Sequence, residues 1–213
     1  MSLRNTIAAV AASLGLVGAA DAGIVTESSD FGAFPSSAGI PSGMGSIDRI
    51  VGSLYTGGVL GDFADAVQFK ATSNTVSVVF DNGTNTPFAN WIYLYDSNTS
   101  MPIARGSRTG LVSRLDWNSA TVGGMYTLIF ADSPLRPLGI NGLEQFTYGN
   151  TGSTIAANGP GAGVVIGGYN GSQNPLQRDY AYYVSGAEYP VPAPGSMALL
   201  GAGLLVAARR RSR

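Results

Sequence analysis

Two stretches, Thr75-Val76-Ser77-Val78-Val79-Phe80 and Trp91-Ile92-Tyr93-Leu94-Tyr95, decide the fold. The first places Val76, Val78 and Phe80 on one side of an extended chain, the two-residue period of a half-buried strand. Asp81-Asn82-Gly83 follows it, a tight-turn sequence, because Asn and Gly tolerate positive φ. In the second stretch Trp91, Tyr93 and Tyr95 share one side while Ile92 and Leu94 share the other. A strand apolar on both sides is expected to be central in its sheet and covered on both faces. Tyr126, Leu128 and Phe130 give a further inward face after the Gly123-Gly124 turn. Val164 to Ile166 and Tyr180 to Val184 read as late strands. No twelve-residue window between Gly23 and Pro190 carries helical spacing. The prediction is an all-β chain, a β-sandwich or jelly roll over residues 23–187. Ser28 to Gly58 is rich in Gly, Ser and Pro, with Ile47, Ile50, Val51 and Leu54 as its apolar cluster. It reads as an entry loop with one or two edge strands.

Composition narrows the chemistry. The 213 residues are 45% hydrophobic, apolar enough for a packed core. There is no Cys and no His, which removes disulfides, Cys-based metal sites and nucleophile systems that depend on His. A formal charge of −1 excludes a generic basic nucleic-acid binder. Between Gly23 and Pro190 seven basic residues face twelve acidic ones, because the others crowd the ends.

The ends read as addresses. Arg4 precedes an apolar run from Ile7 to Val17, and Ala20-Asp21-Ala22 offers small residues where a signal peptidase inspects the chain. Residues 1–22 are therefore expected to be a signal peptide cut between Ala22 and Gly23. At the other end Val191-Pro192-Ala193-Pro194 closes a Pro-rich linker over residues 188–194. An apolar segment, 195–208, follows and is read as a short transmembrane helix. As a helix it would reach about 21 Å, short of the roughly 30 Å of bilayer hydrocarbon. Arg209, Arg210, Arg211 and Arg213 then form a basic tail that should stay in the cytoplasm, leaving the rest outside. A plain anchor that is never cut and a processing signal both fit this pattern.

The order of Pro-x-Pro, short apolar helix with Leu199-Leu200 and Leu204-Leu205, and terminal arginine cluster resembles the PEP-CTERM sorting signal. Ala193 stands where the commonest motif has Glu. The resemblance implies export through the signal peptide and processing near Pro192 and Pro194 by exosortase, an integral-membrane protease-like enzyme. It also implies membrane anchoring before processing, with a cell-envelope, surface or extracellular destination. A second resemblance runs through Gly61-Asp62-Phe63-Ala64-Asp65-Ala66-Val67-Gln68-Phe69, then Trp91 to Asp96, then Gly124-Met125-Tyr126-Thr127-Leu128. These segments are similar to the bacterial pre-peptidase C-terminal domain, a β-sandwich accessory module of secreted proteins. That similarity implies no catalytic residue.

Candidate chemistry inside the body is sparse. Asp62 with Asp65, or Asp96 with Asp116, could supply the two acids of glycoside hydrolysis, but Asp62, Asp81, Asp96 and Asp132 stand near strand ends, where Asp caps turns. Asp96-Ser97-Asn98 resembles a fragment of a Ca²⁺ loop without its later acid. The run Gly159 to Gly171 lacks phosphate-loop spacing and reads as a loop or strand bend. Lys70 reads as a solvated edge charge without a partner. Tyr180, Tyr182, Tyr183 and Tyr189 form the densest aromatic cluster, either packing or a platform for sugar rings, and Trp91 and Trp117 read as core. The expected function is structural or adhesive, in a polysaccharide matrix, with no cofactor and no enzymatic activity. A carbohydrate-binding module and a carboxylate-dependent polysaccharide hydrolase are the alternatives.

Overall fold

A computed structural model describes residues 23–27, 30–54, 63–81, 89–148, 152–171 and 178–192. The expected signal peptide and its Ala20 and Ala22, the Asn82-Gly83 turn, Asp62, Ala193, Pro194, the apolar segment 195–208 and the arginine tail lie outside them. Among the described residues no helix is long and apolar enough to cross a membrane.

The chain is all-β. One six-stranded sheet runs in the order β1 (Gly23–Thr26), β3 (Ile47–Leu54), β14 (Arg178–Ser185), β5 (Val76–Phe80), β9 (Val112–Trp117) and β8 (Ser107–Thr109). A second runs β12 (Ile155–Ala156), β7 (Pro102–Arg105), β6 (Asn90–Asp96), β10 (Met125–Asp132), β4 (Ala64–Ala71) and β15 (Ala187–Glu188). Two small pairs complete it, β11 (Arg136–Gly139) with β13 (Ile166–Asn170) and β2 (Ser42–Gly43) with β16 (Val191–Pro192). Pairing is antiparallel throughout the named strands except for β1 on β3 and β16 on β2.

The sheets share one apolar layer. Val76, Val78, Phe80, Tyr180, Tyr182 and Val184 reach it from the first, and Val67, Phe69, Leu94, Tyr126, Leu128 and Phe130 from the second. At its centre the rings of Phe130 and Tyr182 stack across the gap with centroids 4.0 Å apart. This is a β-sandwich, and the alternating residues lie where their period put them.

β6 is central, between β7 and β10, with both faces buried as its two-sided apolar pattern required. Ile92 and Leu94 enter the shared layer, while Trp91, Tyr93 and Tyr95 enter a second cluster on the outer face. Leu135, Phe146 and Ile166 cover that face, bringing a third layer over the sandwich.

Three expectations change. Ile47–Leu54 is no edge strand, since β1 shields one side and β14 pairs with the other. Its fully buried side chains are Ile47, Ile50 and Leu54, spaced by three and four, so the two-residue period that marks a strand is missing. The late strand read from Val164 starts at Ile166. Sheet pairing also continues past Gly186 into the segment read as linker, through Ala187–Glu188 and Val191–Pro192. Extended, donor-poor proline backbone suits the outermost strand of such a pair.

Candidate functional site at the junction of the chain ends

The last described segment runs along the open edge of the sandwich. Ala187 and Glu188 pair with Ala71 and Lys70, and the Glu188 carboxylate meets the Lys70 ammonium at 2.7 Å. Lys70 therefore has a partner, contrary to the expectation. Both side chains remain about a third or more exposed, so the ion pair contributes at most about 1 kcal/mol.

Tyr189 comes next, its amide donating to the Gly45 carbonyl at 3.4 Å. A β-carbon added to Gly23 would stand 2.5 Å from the Tyr189 ring, and one added to Gly43 would stand 2.7 Å from it. The ring thus closes on two bare backbones where any other residue would push it away. Burial, then the nearby Asp48 carboxylate, raises the Tyr189 hydroxyl pKa.

Beyond it Val191 and Pro192 lie parallel to Ser42 and Gly43. A groove of about 520 Å³ opens beside this pair, with Ile24, Phe31, Ile40, Ser42 and Tyr189 in its wall. The fold therefore brings Gly23, the expected first residue of the mature chain, against Tyr189, two residues before Val191.

The described candidate acids are engaged in a turn, in ion pairs and in the buried interior. Asp96 caps its turn, accepting from the Asn98 amide at 2.9 Å and the Thr99 amide at 2.8 Å. Asp116 forms an ion pair with Arg114 and accepts from the Ser77 hydroxyl at 2.6 Å. The hydrogen bond from Arg114 is the main cause holding the Asp116 carboxyl below its usual range. Asp81 takes the Arg49 guanidinium at 2.7 Å. Asp65 is fully buried.

A different acidic group forms instead. Glu27, Asp30 and Asp65 each bring one carboxylate oxygen within 4.8 Å of the others. Glu27 accepts from the Ser53 amide at 2.8 Å and has its pKa raised chiefly by burial. No local sequence signal marks this trio, because Asp65 is separated from the other two by more than thirty residues.

The tyrosine cluster divides. Tyr180 and Tyr182 are buried, with hydroxyl pKa values pushed well up by burial and then by the charge of Asp65. Tyr183 points outward, 54% exposed, with the Arg49 guanidinium 5.6 Å from its ring centre. Four tyrosines on one exposed platform are therefore excluded.

Trp91, buried as expected, belongs to an aromatic and cationic group that sequence reading missed. The buried Arg105 guanidinium lies 4.4 Å from the Trp91 ring centre and 5.1 Å from that of Tyr148. Arg108 lies 4.7 Å from Trp91, and Arg136 4.4 Å from Tyr148. Arg108 also donates to the Ser133 hydroxyl at 2.6 Å, and Arg136 to Glu144 at 3.2 Å. Burial, more than Arg108 and Arg136, lowers the Arg105 pKa. Planar cations beside aromatic rings can take up carboxylate or sulfate groups on sugar rings. The three arginines come from β7, β8 and β11, so nothing in their spacing joins them.

The Gly-rich run packs rather than cradles: the Gly159 amide donates to the Gln145 carbonyl at 3.0 Å and that of Gly161 to Glu144 at 2.8 Å.

Comparison with solved structures finds similarity to the pre-peptidase C-terminal domain of collagenase from Bacillus anthracis. The match has 15% identity and a TM-score of 0.37, covering 68% of this chain and 93% of that one. No curated protein matches the chain. Residues 190–212 match the PEP-CTERM protein-sorting motif, a stretch that includes the β16 strand paired with β2, so this is an exported protein carrying a C-terminal signal for exosortase sorting.

Proposed function

We propose that the chain is a non-catalytic structural or adhesive component of an extracellular polysaccharide matrix, delivered to the cell envelope by its C-terminal signal. Signal peptidase cuts before Gly23, the segment 195–208 holds the chain in the membrane, and an exosortase-type enzyme acts near Pro192 and Pro194. The observation that carries this reading is the PEP-CTERM match at 190–212, contiguous with a β-sandwich whose candidate acids are engaged in a turn and in ion pairs. The prolines supply extended backbone for a protease to grip, and Arg209, Arg210, Arg211 and Arg213 orient the tail.

The test is an immunoblot of membrane and released fractions from the native host. Pro192→Ala with Pro194→Ala should leave an uncut, membrane-bound form, and serine at positions 209–211 should impair retention and processing. Persistence of the full-length wild-type chain in membranes, with no shorter product, would make it a plain anchor.

A carbohydrate-binding reading is favoured by the Trp91, Tyr148, Arg108 and Arg136 group. Its ligand class is an acidic polysaccharide, since guanidinium groups pair with carboxylates. Arg108→Ala with Arg136→Ala should abolish retention on a polyuronate gel, while wild type passes through neutral glucan. Equal retention of variant and wild type on both gels would remove this reading.

A further inference from the structure

The junction leaves apolar side chains uncovered. Ile24 is 56% exposed, Ile40 57%, Met44 40% and Val191 46%, four of the nine large apolar residues so exposed among the described residues. They fall in one neighbourhood: Ile24 and Ile40 line the groove with Tyr189, Val191 pairs with Ser42, and Met44 follows Gly43. Exposed apolar side chains gathered at one edge offer a surface that a partner can cover.

Chain length says which one. Two residues, Ala193 and Pro194, separate Pro192 from Gly195, where the apolar segment starts, and the three steps between them span about 10 Å when fully extended. The polar layer on each side of a bilayer is about 5–8 Å deep. A body whose last described strand is Val191–Pro192 cannot hold this edge farther from the lipid than that tether allows. Ile24, Ile40 and Met44 belong to the same edge. The charges beside the patch, Asp30 in the groove wall and Asp48 near Tyr189, are acidic and draw no anionic headgroup.

We infer that before processing the edge formed by Ile24, Ile40, Met44 and Val191 docks on the lipid surface by apolar contact. The contact holds the sorting motif at the membrane plane, where a membrane-embedded enzyme reaches it, and cutting the tether releases the patch. This rests on reading 195–208 as the membrane segment.

The chain has no cysteine, so a single thiol can report position. Full-length protein carrying Ser42→Cys, labelled with a polarity-sensitive dye, is reconstituted into phosphatidylcholine vesicles containing lipid brominated near the headgroup. Leu111→Cys, in the hairpin at the opposite edge of the first sheet, is the reference. A blue shift with quenching at 42, none at 111, and insensitivity to salt is the expected result. Adding Ile24→Ser, Ile40→Ser and Met44→Ser should remove the signal at 42 while the chain stays on the vesicles. A flexible Gly/Ser insertion after Ala193 should preserve it.

Loss of the signal on lengthening the tether would mean proximity without docking and overturn the inference. Equal quenching at 42 and 111, in protein that resists alkaline carbonate extraction, would also overturn it and leave the anchor intact. Protein stripped from vesicles by carbonate would overturn the anchor reading, and this inference with it.

Discussion

Replacing Tyr189 with Ala removes the ring that closes over Gly23 and Gly43. The loss of a partly buried aromatic should cost about 2 kcal/mol, lowering the melting temperature by about 4–8 °C for a domain of this size. Hydrogen exchange should accelerate at Gly43 and Val191 before it does in β6 or β10, because the junction opens locally. Uniform acceleration would show that Tyr189 supports the whole sandwich.

Glu27 makes a pH prediction at the same scale. Its pKa is raised above 4.5, mainly by burial, so the folded state holds the proton more tightly than the unfolded chain. Its favourable contribution is present below the unfolded pKa and is lost as pH rises through the folded one. Glu27→Gln should therefore flatten the fall in melting temperature above pH 4.5. An unchanged slope would assign the pH dependence elsewhere.

Among the elements, β6 joins the sandwich to its covering layer. Tyr95 donates to the Gln145 side-chain carbonyl at 2.7 Å, and Tyr93 to the Leu135 carbonyl at 3.0 Å, tying the central strand to the covering layer. Tyr95→Phe leaves a buried acceptor unmet and should cost about 1–3 kcal/mol. Leu128→Ala in β10 opens a cavity between the sheets and should cost about 2–5 kcal/mol, measured by urea unfolding.

β6 was legible because packing on both faces left apolar residues at every position from 91 to 95. β3 was not, because its buried positions follow an irregular spacing that only its neighbours β1 and β14 explain.

For the whole molecule, the Glu27, Asp30 and Asp65 trio sets a test. Asp65 lies inside the fold, and burial raises the Glu27 pKa, so the pair favours a proton over two bare charges. Chelator or added Ca²⁺ should shift the melting temperature by less than about 5 °C, equivalent to roughly 1–2 kcal/mol for this size. A larger rise on adding Ca²⁺ would mean that the three acids hold the ion.

The sequence by itself determined the class of fold and the sorting signal, because both are written in local order. Two-residue alternation aims side chains whatever the strand's neighbours are, and the PEP-CTERM motif at 190–212 is one contiguous stretch. Tertiary structure decided everything that depends on distant residues arriving together. It set Tyr180 and Tyr182 inward and Tyr183 outward, and gave Lys70 its partner Glu188 from across the chain. It also gathered three arginines around Trp91 and Tyr148, and closed Tyr189 over Gly23 and Gly43. Sheet pairing joins residues more than a hundred positions apart, such as Tyr182 and Ile50, and no local period encodes that register.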